Sequence, residues 1–472
     1  MSDPDVFSEV LQFQNEKRRA VSARSFRTVI NSSNSTSFKP GQTMEFDLPG
    51  NRSRQYYDMG RTYLSFKLTN AGGACKLDSA GAMAFIKQFV IETPSATLFN
   101  CNQWGVLASA LLDQDSSAEW RGSQGNVMMG MYGDAQRGET IGAAAVGPPV
   151  IPTTRSFAVP LALNSLAMTS PKRLIPAFSL APIQIKLTLD SQVNCANQVA
   201  AAAGDFTLSE VQLITYVTEL SGGAQSHLDK ATGGVYNMLC STYNHTSATL
   251  GSGYTSIAPT LGFSSSALER IICIHRSQAS NNVAPAYSIG SRATAGLTEY
   301  GYTINGEQVP QKFIKVDSRG AQAMAELLIG DHSLQNYSKG CGIQNGFAAV
   351  SNAATGGGMS MLSGVDPGAV KADPWAYANP TGASAGSVSG AGVATASSCG
   401  KFIATVELES SVSDGKSSHI YSGISTLGGI VQFNGTYSGT AQVFDLDFFA
   451  QSTVVIGLDM SPRGTGTFTI SV

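Results

Sequence analysis

The groups in this chain that could carry reactive chemistry are few and badly placed for it. G-A-S-A-G at Gly382–Gly386 has the spacing of a nucleophile elbow, in which a strained turn lifts the hydroxyl of Ser384 towards a substrate. That motif needs a strand entering and a helix leaving, and here the flanks are low-complexity Gly, Ala and Ser. G-K-S at Gly415–Ser417 has the tail of a phosphate-binding loop. Ser410 stands where the loop needs its first glycine, so the stretch reads as a turn between strands. The five histidines, His227, His245, His275, His332 and His419, show no H-x-x-x-H or similar ligand spacing, and each reads as a surface or satisfied core residue. Asp445 and Asp447 lie two apart on one strand face. A glycosidase draws its two carboxyl groups from different elements, so this pair reads as strand-surface chemistry.

The seven cysteines, Cys75, Cys101, Cys195, Cys240, Cys273, Cys341 and Cys399, are odd in number, scattered and without C-x-x-C, which suits reduced core or loop thiols better than disulfides or zinc. Asn31, Asn34, Asn51, Asn244, Asn336 and Asn434 head glycosylation sequons, which a chain this rich in Ser and Thr produces by chance. The expectation is therefore no catalytic residue, no cofactor and no metal.

Composition narrows the class. Of 472 residues only 13% are charged, about half the usual share, while 42% are hydrophobic, so the chain has a large core and hides much of its surface against neighbours. A net charge of -3 gives no electrostatic footprint for sequence-specific nucleic-acid binding. The start M-S-D-P-D-V-F carries acids where a signal peptide needs bases, and no segment approaches the roughly 18 apolar residues of a spanning helix. The expectation is a soluble chain that is not conventionally secreted.

The elements that must position these residues are strands. Arg155–Asp190 holds R-S-F-A-V-P-L and L-A-P-I-Q-I-K-L-T-L-D, joined by a link broken at Pro171, Pro176 and Pro182. Phe157, Val159 and Leu161 share one face, as do Ile183, Ile185, Leu187 and Leu189. T-M-E-F-D-L and Y-L-S-F-K-L-T-N alternate in the same way, and D-F-T-L-S-E-V-Q-L-I-T-Y-V-T-E-L is a long strand. A helix is predicted around 103–112, and glycine-rich loops over about 121–148. S-G-G-A-Q-S-H-L-D-K-A-T-G-G reads as an interdomain crossing. The pattern then restarts with V-Y-N-M-L-C-S-T-Y, A-L-E-R-I-I-C-I-H-R and K-F-I-K-V, a helix over 321–328, and a Gly/Ala/Ser-rich insertion at about 340–400. It closes with K-F-I-A-T-V-E-L-E, H-I-Y-S-G-I-S-T, G-G-I-V-Q-F-N, A-Q-V-F-D-L-D-F-F, T-V-V-I-G-L and G-T-F-T-I-S-V.

At the N terminus Ser2, Pro4 and Asp5 open a helix running to about Lys17, with Val6, Phe7, Val10 and Leu11 on one face. The cluster Lys17, Arg18, Arg19, Arg24 and Arg27 follows. It is either a solvated linker or an arm that meets an acidic partner, a membrane surface or a neighbouring subunit. The predicted organisation is an N-terminal helix and basic arm over 1–27, a first β-sandwich over 28–222 and a second over 223–472.

The order of F-K-P-G-Q-T-M-E-F-D-L-P-G, Y-Y-D-M-G-R-T-Y-L-S-F-K-L-T-N, R-S-F-A-V-P-L and R-L-I-P-A-F-S-L-A-P-I-Q-I-K-L-T-L resembles the first half of a double jelly-roll major capsid protein. S-A-L-E-R-I-I-C-I-H-R, I-N-G-E-Q-V-P-Q-K-F-I and V-F-D-L-D-F-F continue the likeness. The resemblance is to those of polinton-like viruses and virophages. It implies an all-β chain of two consecutive eight-stranded antiparallel jelly rolls with short helices in loops. It also implies homotrimers of pseudo-hexagonal outline that tile an icosahedral virion shell around a DNA genome, assembled inside the host cell. The implied partners are neighbouring capsomers and penton and minor capsid or cement proteins, with an internal membrane as the alternative contact of the arm. Lys17, Arg18, Arg19, Arg24 and Arg27 would form an inner-surface contact arm, and the 340–400 insertion an outer tower. A surface-layer or adhesin-type β-sandwich shares the composition but normally carries a signal peptide. A carbohydrate-active β-sandwich enzyme needs aromatic platforms, which the scattered Trp104, Trp120 and Trp375 do not make.

Overall fold

The computed structural model describes residues 23–70, 75–78, 80–131, 140–141, 154–161, 174–180, 182–191, 194, 196–198, 206–278, 289, 292–316, 320–330, 402–408, 423–439, 443–460 and 466–471. Alternating apolar residues build two sandwiches in succession. In the first, one sheet contains β1 (Ala23–Asn31), β2 (Ser37–Phe38), β4 (Gln55–Thr69), β9 (Thr154–Pro160), β10 (Ile175–Pro176) and β13 (Thr207–Leu220). Its order is β1-β13-β4-β10, with β2 on β13 and β9 on β4. The facing sheet is β3 (Thr43–Leu48), β11 (Ile183–Leu189), β6 (Ile86–Thr93) and β7 (Ala96–Asn102), in that order. A separate three-stranded sheet of β12 (Ala196–Gln198), β5 (Cys75–Leu77) and β8 (Thr140–Ile141) adds Leu77 and Ile141 to the core.

The second sandwich repeats the plan. One sheet runs β14 (Val235–Leu250), β22 (Phe444–Asp459), β17 (Leu268–Ser277) and β20 (Ala404–Glu407), with β23 (Phe468–Ser471) on β22. The other pairs β21 (Val431–Tyr437) with β15 (Ser256–Ile257), β16 (Thr260–Leu261) and β18 (Leu297–Ile304), and β18 with β19 (Glu307–Lys315). If the principal strands of each half are counted from one to eight, with the short β15 and β16 taken as one, both halves have sheet orders 1-8-3-6 and 2-7-4-5. The first and last strands of each half lie side by side. This is the double Greek-key order of a jelly roll, so the fold is a double jelly roll.

Strand alternation produces this directly. Ile183, Ile185, Leu187 and Leu189 of β11 are buried while Gln184, Lys186 and Thr188 are partly exposed, and β11 registers antiparallel between β3 and β6. On the exposed face Lys186 reaches Glu92 at 2.6 Å. T-V-V-I-G-L is continuous with V-F-D-L-D-F-F in β22, and Y-L-S-F-K-L-T-N extends back to Gln55 in β4.

Three segments differ from expectation. The predicted crossing is a helix, here α2 (Gly222–Thr232): the Ser221 hydroxyl accepts from the Ala224 amide at its start, and Gly233 ends it with a φ of 64°. Part of the predicted 121–148 loop is helical, with a π-turn at Arg121–Gly125 running into a helical turn at Asn126–Met129. Of H-I-Y-S-G-I-S-T only residues 423–426 are described, and they make one bridge, Ile424 to Leu268, rather than a strand. The helices α1 (Trp104–Asp115) and α3 (Ala321–Gly330) lie where helices were predicted. No helix among the described residues is long and apolar enough to cross a membrane.

Candidate functional site

Buried polar side chains concentrate on one face of the second jelly roll. Phe448 on β22 packs its ring against Phe433 of the sister sheet, so Phe448 points into the sandwich and the alternate residues Asp445, Asp447, Phe449 and Gln451 point away from it. Along that sheet β14 packs on β7 of the first jelly roll, while α3 of the second lies over β20, where the Gly330 carbonyl meets Arg270. All ten residues of β17 are buried. A sheet covered on both faces must pair every polar group it retains.

The pairing is complete around one carboxylate. Asp447, 2% exposed, accepts from Arg276 Nε at 2.7 Å and bonds His245 Nε2 at 2.9 Å. Burial pushes its pKa up, but the Arg276 charge and the bonds from His245 and Arg276 outweigh it and hold the carboxyl below its ordinary value. On the same face Arg270 donates to Gln451 at 3.1 Å and to the Gly330 carbonyl at 2.8 Å, and Gln451 donates to Glu269 at 3.0 Å.

Across the seam between the jelly rolls, Asp113 of α1 binds Arg121 at 2.5 Å within the first half and Arg292 of the second. Arg292 also donates to the Ser109 hydroxyl at 3.2 Å. Further links are the Ile289 amide to the Asp78 carboxylate at 3.1 Å, the Leu180 amide to the Gly466 carbonyl at 2.9 Å, and a ring chain Tyr56, Phe178, Tyr236 with centroids 5.4 and 5.0 Å apart. A crevice of about 370 Å³ opens on this seam between Lys87, Asp190 and Asn194 of the first half and Arg276 and Asp445 of the second.

This constellation is built for fixation. His245 and Asp447 form a pair such as a hydrolase uses, but the carboxylate's other oxygen is engaged by Arg276, and no described hydrogen bond joins His245 to a Ser, Thr or Cys hydroxyl or thiol. His275 is fully buried, bonded to the Tyr437 hydroxyl at 2.9 Å, and burial pushes its pKa down to about 3, so it stays neutral. Burial likewise pushes the Cys273 thiol well up, away from the reactive thiolate. No group of three His, Cys, Asp or Glu among the described residues could hold a metal.

The structure divides the pair read as strand-surface chemistry: Asp445 stays partly exposed and accepts from Gln278 at 2.7 Å, while Asp447 is buried and ties His245 of β14 to Arg276 of β17 within the second jelly roll. Of the basic cluster, Arg24 and Arg27 lie in β1, which pairs along its length with β13, so they belong to the first jelly roll rather than to an arm ending at residue 27. Arg24 donates to Glu219 at 2.7 Å and stacks over Phe26. Lys17, Arg18 and Arg19, the predicted N-terminal helix, the 340–400 insertion, Ser384 and its G-A-S-A-G, the G-K-S turn, His332 and His419 lie outside the described residues. The Arg121–Asp113–Arg292 set was missed, because its members are 8 and 179 residues apart and only the fold joins them.

No protein-family model matches the chain, and no curated protein matches it by sequence. Solved structures match over nearly the whole length. The PBCV-1 virus capsid aligns with a TM-score of 0.56 at 10% identity, over 96% of this chain and 98% of that one. The Sputnik virophage structure gives 0.54 at 9% identity, over 100% and 93%. The mavirus major capsid protein gives 0.52 at 11% identity, over 94% and 90%. At such identities the likeness is one of fold, and it extends through both jelly rolls.

Proposed function

We propose that the chain is a major capsid protein, a structural subunit without enzymatic activity that forms pseudo-hexagonal trimers and tiles an icosahedral viral shell around a DNA genome. The observation that carries this reading is the pair of jelly rolls with the same strand order, fixed side by side across a buried polar seam. It is a unit that presents two similar blocks per chain and therefore six around a threefold axis. The likeness to viral capsid proteins over more than nine tenths of both chains supports it.

Low charge has a physical cause in this reading, since flanks buried between subunits are more apolar than free surface. Phe26, Val29, Leu427 and Ile430 stand exposed on the single chain and suit such contacts. The two jelly-roll domains are residues 23–222, which take in β1, and 223–472. The 340–400 insertion forms an outer tower, and Lys17, Arg18 and Arg19, with Arg24 and Arg27 at the start of β1, face the shell interior. There they meet neighbouring capsomers, penton or minor capsid proteins, or an internal membrane. Light scattering on the purified full-length chain tests the reading: the mass of three chains is expected, and a stable monomer at micromolar concentration argues against it.

A further inference from the structure

The two jelly rolls leave an apolar groove of about 310 Å³ beside α2, lined by Tyr56, Leu174, Leu220, Leu228, Val235 and Met238. Val235 on its rim remains 38% exposed. The first described residue, Ala23, pairs with Leu220, so the chain leaves towards its N terminus from the wall of this groove. Residues 1–22 lie outside the described structure and hold the apolar stripe Val6, Phe7, Val10 and Leu11. Eleven residues, 12–22, separate Leu11 from Ala23. Their extended reach of up to about 40 Å makes return to the groove easy.

Charge points the same way. Glu219 adjoins Leu220, Asp229 bonds the Tyr236 hydroxyl at the groove, and Asp459 registers opposite Val235. The segment that leaves past these carboxylates carries Lys17, Arg18 and Arg19; the next base along, Arg24, is already paired with Glu219, whose charge Arg54 beside Gly222 also meets.

We propose that this groove is the seat of the chain's own N-terminal segment, which docks through Val6, Phe7, Val10 and Leu11 and runs its basic stretch along the Glu219, Asp229 and Asp459 rim. The segment is then a fixed part of each subunit before any neighbour is met. This seating does not depend on the capsid reading and holds equally for an isolated chain.

The test replaces Phe7 of the full-length chain with the photo-crosslinker p-benzoylphenylalanine. The expected product migrates at single-chain mass, joins residue 7 to a peptide containing residues 220–238, and is lost in Leu228→Glu. Hydrogen exchange of residues 5–14 is expected to quicken at least tenfold in that variant. Should Leu228→Glu disturb α2, Val10→Glu, which lies outside the jelly rolls, is expected to quicken it in the same way. Crosslinks elsewhere, no crosslink, a groove crosslink confined to a two-chain product, or exchange that neither variant changes would overturn the proposal.

Discussion

At the residue scale, the described buried charges tie strands together within the second jelly roll, as Asp447 does with Arg276 and His245, and join the two sandwiches, as Asp113 does with Arg292. Removing the Asp447 carboxylate takes from buried Arg276 its hydrogen-bonded counter-charge and leaves it only the weaker pull of Asp445 and Asp190, a change that costs up to about 3–5 kcal/mol. Asp447→Ala is therefore expected to lower the unfolding midpoint in calorimetry by several degrees, whereas Asp445→Ala, at a partly exposed site, should move it little. His275 gives a pH signature. Its folded pKa of about 3 lies below the ordinary 6.5, so the unfolded chain binds the extra proton first. The stability linked to neutral His275 is full above about pH 6.5 and falls, by at most about 1.4 kcal/mol per pH unit, as pH drops towards 3. His275→Phe, packed against Phe402 and Tyr437, should flatten the pH dependence of the midpoint between 6.5 and 4. Parallel curves for the variant and the parent would assign that dependence to other groups. Asp447 acts lower, where its depressed pKa withdraws stability only as pH falls through its own range below about 4.

At the element scale, strand alternation made most of the fold legible. β3, β11 and β21 alternate residue by residue, and their buried faces match the sequence pattern. Three things escaped it for physical reasons. β1 is a sheet-edge strand with both faces largely exposed, so R-S-F-R-T-V-I-N lacks the contrast that marks a half-buried strand. The outer face of β14, β22 and β17 carries Tyr243, His245, Arg276 and Asp447, a polar set that local pattern assigns to solvent and that tertiary packing buries. α2 has few apolar residues and none fully buried, so its Ser221 and Gly233 caps were the signal, and the flanking glycines masked it. The corrected start of β1 sharpens a deletion experiment. Removal of residues 1–22 is expected to leave a folded trimer that assembles poorly into shells. Removal of residues 1–31 also strips β1 from β13 and bares a strand edge, so lower thermal stability and aggregation are expected, read by light scattering during heating.

At the scale of the whole molecule, the proposed capsid role gathers the low charge and the two matching jelly rolls into one explanation, in which the product of the chain is a surface. Single-particle electron microscopy of the purified full-length chain tests this most directly. Threefold particles of pseudo-hexagonal outline, with six jelly rolls around the axis, are the predicted result. Particles of a single chain, with no threefold form at micromolar concentration, would contradict it.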